Sequence, residues 1–245
     1  MPVFETIKAK SGTAVPLFIF GDHSSAHIPQ AYNNLGLTGE DLTRHIAVDI
    51  GTESLIRNLC TRFGCAGHLA GVSRLVLDCN RDPDAPGLIP RVSDGTRIPG
   101  NENISPSERA RRIAQIHTPY HAALGQALDR AAADTPDPLI VSMHSFTPQL
   151  KSGGAFRPTQ IGLLRKADPD STQRAAHVLA RLHPDRAVAV NKPYSAFDLN
   201  YTVDTQVTPR GLRHITFEIR QDLIDTRDKI GVMSQVLDDV LSALI

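Results

Sequence analysis

Short, uninterrupted runs of apolar residues recur along this chain, each closed by glycine or by polar side chains. PLFIF at 16–20, ended by Gly21 and Asp22, is the first. A run of this length, without alternation, predicts a strand buried on both faces. The same reading predicts strands over 72–79 (VSRLVLDC), 138–143 (PLIVSM), 159–164, 187–190 and 212–219. Between them the apolar positions shift to a helical period. Helices are expected over 41–63, 105–133, 171–182 and 228–244. Thr38 or Glu40 can start the first, and Gly64 can end it. Ser105, Pro106 and Glu108 form an N-cap, a first-turn proline and a capping box for the second. Pro119 falls inside that second pattern, where its missing N–H should kink or break the helix. Segments 80–100 and 149–158 are rich in Pro or Gly and read as long loops, a setting that often carries function.

Strands that alternate with helices predict an α/β protein with a mostly parallel sheet covered on both faces. At 245 residues the chain is long enough for one large core, so residues 1–245 are read as a single domain. In such sheets the ligand site lies beyond the carboxyl ends of the strands. Polar residues gather at those ends: His23, Asn80 and Arg81, His144, and Glu218.

Two imidazoles, His23 and His144, each follow an apolar strand, and neutral histidines on rigid elements suit zinc. A catalytic zinc site needs about three protein ligands. Asp49 is the chosen third, because the expected 41–63 helix puts it on one face with His45 and Glu53; Asp22, His27 and Glu53 are alternatives. Arg81, with Asn80 beside it, has the planar fork that grips a carboxylate. Arg74 suits stabilisation of an oxyanion, although Asp78, Asp82 and Asp84 offer these arginines ordinary ion pairs. Glu218, opposite in phase to Ile215, Phe217 and Ile219, is placed to act as a general base. His121, one helical turn after His117 in the run HTPYH, is a further candidate to reach the site.

Composition narrows the field. Twenty-six basic residues balance twenty-six acidic ones, which gives no electrostatic case for nucleic acid or an anionic membrane. The three cysteines, Cys60, Cys65 and Cys79, read as reduced core thiols, consistent with a cytoplasmic setting. No segment has the length of apolar sequence that spans a bilayer, and the first ten residues lack a signal-type apolar stretch. GxSxG, P-loop and GxGxxG motifs are absent.

Several segments, in order, are similar to the N-formylglutamate amidohydrolase family: HSSAHIP at 23–29, Asp49, SRLVLDCNRD at 73–82, PYH at 119–121, His144-Ser145, NKPYS at 191–195 and FEIRQDL at 217–223. The resemblance implies the zinc carboxypeptidase and aspartoacylase-like fold, a phosphorylase/hydrolase-like three-layer α/β/α sandwich with a mixed sheet. It implies zinc on His23 and His144, an Asn80-Arg81 pair that holds a substrate carboxylate, Arg74 on the oxyanion side and Glu218 as the catalytic carboxylate. It also implies hydrolysis of an N-acyl, possibly N-formyl, amino acid such as N-formylglutamate. Ala26 stands where the zinc carboxypeptidases carry an acidic ligand, so the third ligand must come from elsewhere. Two other readings remain: a zinc peptidase or amidase for a larger peptide, and a metal-binding protein without catalysis. The long loops discriminate between them, according to whether they close a pocket or leave a groove.

Overall fold

The structure is a computed structural model that describes residues 2–12 and 14–245. In chain order its strands are β1 (Phe4–Ile7), β2 (Leu17–Gly21), β3 (Ala66–Ala70), β4 (Val92–Ser93), β5 (Thr96–Arg97), β6 (Leu139–Phe146), β7 (Ile161–Leu164), β8 (Val188–Val190) and β9 (Arg213–Arg220). The α-helices are α1 (Gly39–Leu42), α2 (Thr52–Phe63), α3 (Pro106–Arg112), α4 (Thr118–Asp134), α5 (Pro169–Leu182) and α6 (Arg227–Leu244). Seven strands form one mixed sheet in the order β1-β3-β2-β6-β9-β7-β8, and β4 and β5 make a small separate hairpin.

The four central strands, β3, β2, β6 and β9, run parallel. β1 pairs with β3, and β7 with β9, in the antiparallel sense. Alternation along the strands divides the apolar side chains between two cores. Leu17, Ile19, Val141, Met143, Ile215 and Phe217 pack with α2, α5 and α6 on one face. Phe18, Phe20 and Ile140 pack with Tyr120, Leu124 and Leu128 of α4 on the other. Towards the carboxyl ends the α4-facing positions become polar: Ser142 and His144 on β6, Thr216 and Glu218 on β9. The register pairs His144 with Glu218 directly.

The structure corrects several sequence expectations. The 41–63 helix is two helices, because the chain leaves helical geometry after Leu42 and re-enters it at Thr52. Gly51, at φ +82°, makes the re-entry; a Cβ there would lie 2.1 Å from the Ile224 carbonyl oxygen. His45, Asp49 and Glu53 therefore share no helical face, and Glu53 lies exposed in an ion pair with Arg57.

The run 72–79 is no strand. The strand is β3, just upstream, and Val72, Leu75, Val76 and Leu77 fill the α4-side core from a turn-rich segment. A buried polar knot holds that segment in shape. Asn101 donates to the carbonyls of Leu75 and Pro90, and Arg112 donates to Val76 O and Asn101 Oδ1. With its carbonyls tied to side chains, the run needs no sheet ladder.

The long helical stretch survives Pro119. A π-helical turn over Ile113–His117 links α3 to α4, and the widened turn absorbs the donor that proline lacks. Ser105 caps α3 as expected, by accepting from Glu108 N. Glu108 itself does not complete the box; its carboxylate pairs with Arg111 and Arg112.

Candidate metal centre and active site

The loop after β2 starts with Asp22 and His23, and His23 anchors the segment before α2, since Asp49 N donates to His23 O at 3.0 Å. That single backbone contact brings Asp49 beside the sheet. Its Oδ2 lies 3.3 Å from His23 Nδ1 and 2.9 Å from His144 Nδ1. One atom from each of these three buried side chains lies within 4.8 Å of the others.

Both imidazoles thus present Nδ1 to one carboxylate oxygen and turn Nε2 away. His23 Nε2 meets Asp78 Oδ1 at 2.7 Å, and His144 Nε2 meets Ser142 Oγ at 3.1 Å. Two nitrogens and an oxygen from buried, oriented side chains are the donor set of a borderline divalent ion such as zinc. The residues present fit such an ion.

Electrostatics reflect the crowding. Burial opposes charge on His23, as does the Arg74 cation, yet Asp78 and Asp49 outweigh both and its pKa rises to about 9. His144 rises too: burial opposes its charge, but Asp49 wins. Burial alone would raise Asp49 and Asp78. The cations around them reverse this and hold both carboxyls well below the usual carboxylate range. Glu218 moves the other way: burial pushes it up to about 7, with help from the Asp49 charge. Its Oε2 is buried with no hydrogen-bond partner among the described residues.

These groups line one cavity of about 150 Å³. Its wall holds His23, Asp49, His144 and Glu218, together with Arg74, Asn80 and Arg81. Arg74 joins the two buried carboxylates, donating through Nε and Nη2 to Asp78 and through Nη1 to Asp49. Three of the five guanidinium donors are thereby engaged, and two remain. The Arg81 guanidinium has no hydrogen bond or ion pair among the described residues. Asn80 accepts from Thr202 N through Oδ1, which leaves its Nδ2 free to donate.

His121 lies one layer behind the wall. Its Nε2 is 2.9 Å from Cys79 O, and His117 Nε2 is 3.1 Å from Arg81 O. The two histidines of HTPYH thus brace the backbone on both sides of Asn80. All three cysteines are free and buried.

Sequence reasoning missed two contributors and half the role of a third. Asp78, expected as an ion-pair partner for the arginines, backs His23 and Arg74 at once. Tyr194 lines the cavity from the loop after β8 and takes a hydrogen bond from Arg157 at 3.2 Å; the NKPYS run was its only signal. Gly162 faces Glu218 across β7 and β9, and a Cβ there would lie 2.3 Å from Lys192 O, so only glycine lets that loop approach.

Asp94, in the β4–β5 turn, ties two loops together. It accepts from Lys151 N, Ser152 N and Ser152 Oγ of the 149–158 loop, and from Arg44. His45 of the cavity wall lies 3.4 Å from the same carboxylate. The two loops thus meet at one carboxylate. Among the described residues no helix is long and apolar enough to cross a membrane.

In solved structures the chain is similar to gene product Atu2144 of Agrobacterium tumefaciens, at 28% identity and a TM-score of 0.88, with 99% of this chain and 96% of that one covered. It is also similar to an N-formylglutamate amidohydrolase of Ralstonia eutropha JMP134, at 19% identity and a TM-score of 0.70, over 99% and 97% of the two chains. No curated protein matches it. The family model for N-formylglutamate amidohydrolase matches residues 15–225, a span that contains every wall residue named above, and the chain belongs to the N-formylglutamate amidohydrolase family.

Proposed function

We propose that the protein is a zinc-dependent amidohydrolase that cleaves the amide bond of a small N-acyl amino acid, N-formylglutamate or a close analogue. The observation that carries this reading is the convergence, in one cavity, of the His23–Asp49–His144 donor set, a carboxylate with a raised pKa and an unpaired guanidinium.

His23, Asp49 and His144 would hold the ion, and zinc so held supplies an acidified water and polarisation of a carbonyl. The protein's own groups do the rest. Arg81 and the Asn80 amide hold the carboxylate of the amino acid, which fixes the amide relative to Glu218. Arg74 offers its two remaining donors to the oxygen on which charge develops. Glu218 takes the proton from the attacking water and delivers it to the departing nitrogen. The C–N bond breaks, and a carboxylic acid and a free amino acid leave. A carboxyl group at this buried position is suited to accept and return a proton. The small volume of the cavity favours a small substrate over a peptide laid along a groove.

Glu218→Gln is expected to keep bound metal while kcat on N-formylglutamate falls by about 10²–10⁴, the usual contribution of a positioned general base. Metal analysis beside a turnover assay on a panel of N-acyl amino acids tests this; full turnover in that variant removes Glu218 from its role. Metal retained in the wild type without turnover on any panel member would favour a non-catalytic binding protein.

A further inference from the structure

We propose that Asp22 is a positioning residue for His144: its carboxylate holds the imidazole as the Nε2–H tautomer and so reserves Nδ1 for a divalent cation. The proposal rests on the metal reading above and concerns a residue that has no part in the proposed reaction steps.

The Asp22 side chain is entirely shielded from solvent (0% exposed). Its Oδ1 accepts from the Tyr120 hydroxyl at 2.7 Å and from the Thr202 hydroxyl at 3.0 Å. Its Oδ2 has no hydrogen-bond partner among the described residues, and lies 3.6 Å from His144 Nε2. A buried carboxylate oxygen without a donor is costly, and the donor that can reach this one is the imidazole.

The other side of His144 gives the same direction. Its Nδ1 faces Asp49 Oδ2, at the point where the three donor atoms converge. An imidazole that offers a lone pair at Nδ1 carries its proton on Nε2, and that N–H needs an acceptor. Ser142 Oγ is within reach at 3.1 Å, but a hydroxyl rotates and serves equally as donor, so it cannot select a tautomer. The Asp22 carboxylate can only accept, and two donors clamp it at Oδ1. His23 has the matching arrangement, with Asp78 against its Nε2. Each imidazole then has a carboxylate behind it, a pairing that orients the ring and strengthens it as a ligand.

The test is zinc affinity by competition with a chromogenic chelator, on wild type, Asp22→Asn and Tyr120→Phe. Asn keeps the size of the side chain and can still accept from Tyr120 and Thr202, but it turns an NH2 towards His144 Nε2 and favours the wrong tautomer. Asp22→Asn is expected to bind zinc about 10–100-fold more weakly, with the metal-free protein melting close to wild type. Tyr120→Phe, which loosens the clamp but keeps the carboxylate, should lose much less affinity. Equal affinity in wild type and Asp22→Asn, or a loss no larger than that of Tyr120→Phe, overturns the proposal. A readout independent of any variant is the imidazole 15N spectrum of the zinc-loaded wild type: His144 protonated at Nε2 supports it, and protonation at Nδ1 overturns it. Wild type that takes up no zinc would overturn the metal reading as well, a result distinct from either of these.

Discussion

Glu218 and His23 are the two site residues whose proton affinity the fold raises most clearly, and both make the metal-free protein sensitive to pH in the same sense. His23 goes from 6.5 to about 9, so the stability its charge contributes is complete below pH 6.5 and is lost as pH rises through about 9. Glu218 goes from 4.5 to about 7; the folded chain keeps a proton that the unfolded chain has released, and that advantage is also lost as pH rises, by about 7. Protein stripped of metal by a chelator is therefore expected to melt at a lower temperature at about pH 9.5 than at pH 6.5. A metal ligand must be deprotonated, so zinc binding at pH 7 should release protons from the His23 and His144 pair. Calorimetry in buffers of different ionisation enthalpy measures that release, and heats independent of buffer would argue against His23 as a ligand.

Among the elements, the knot around Asn101 sets a clear expectation. Asn101→Leu leaves the Leu75 and Pro90 carbonyls buried without donors, at about 1–3 kcal/mol each. Urea unfolding should show a loss of that order, and turnover should fall with it, because the segment shaped by the knot ends at Asn80 and Arg81. The same segment marks the limit of what the sequence made legible. Strands β2, β6, β7, β8 and β9 and the later helices could be read from the apolar period, because each is a continuous apolar run or an amphipathic one with caps. VSRLVLDC has the same composition but satisfies its backbone with the side chains of Asn101 and Arg112, which lie tens of residues downstream and leave no local trace. The break between α1 and α2 was hidden for a similar reason. The helical period runs through it, and what enforces it is the approach of Gly51 to Ile224, a tertiary contact. Asp49 lies beside His23 and His144 without the shared helical face that the sequence suggests; a loop tied to the His23 carbonyl brings it there.

Over the whole molecule, two loops that are separate in sequence are joined at Asp94, which also lies 3.4 Å from His45 of the cavity wall. Asp94→Ala removes the acceptor for the backbone of Lys151 and Ser152 and for Arg44. Limited proteolysis is expected to cut the variant faster near Gly153 and Gly154, and KM should rise more than kcat falls, because the lost contacts support His45 of the wall and lie away from the reacting groups of the proposed mechanism. A cleavage rate equal to wild type would mean that the loops are held by other contacts.

The pairing of His144 with Glu218 across β6 and β9 sits on a different footing from that junction. The separation of His144 and Glu218 is set by eight consecutive residue pairs of a parallel ladder, and a slip of one residue would send one of the two side chains to the opposite face of the sheet. The spacing of these two groups is thus built into the backbone, while the loop junction hangs from a handful of side chains. Substitutions that loosen the loops therefore leave the facing of imidazole and carboxylate intact.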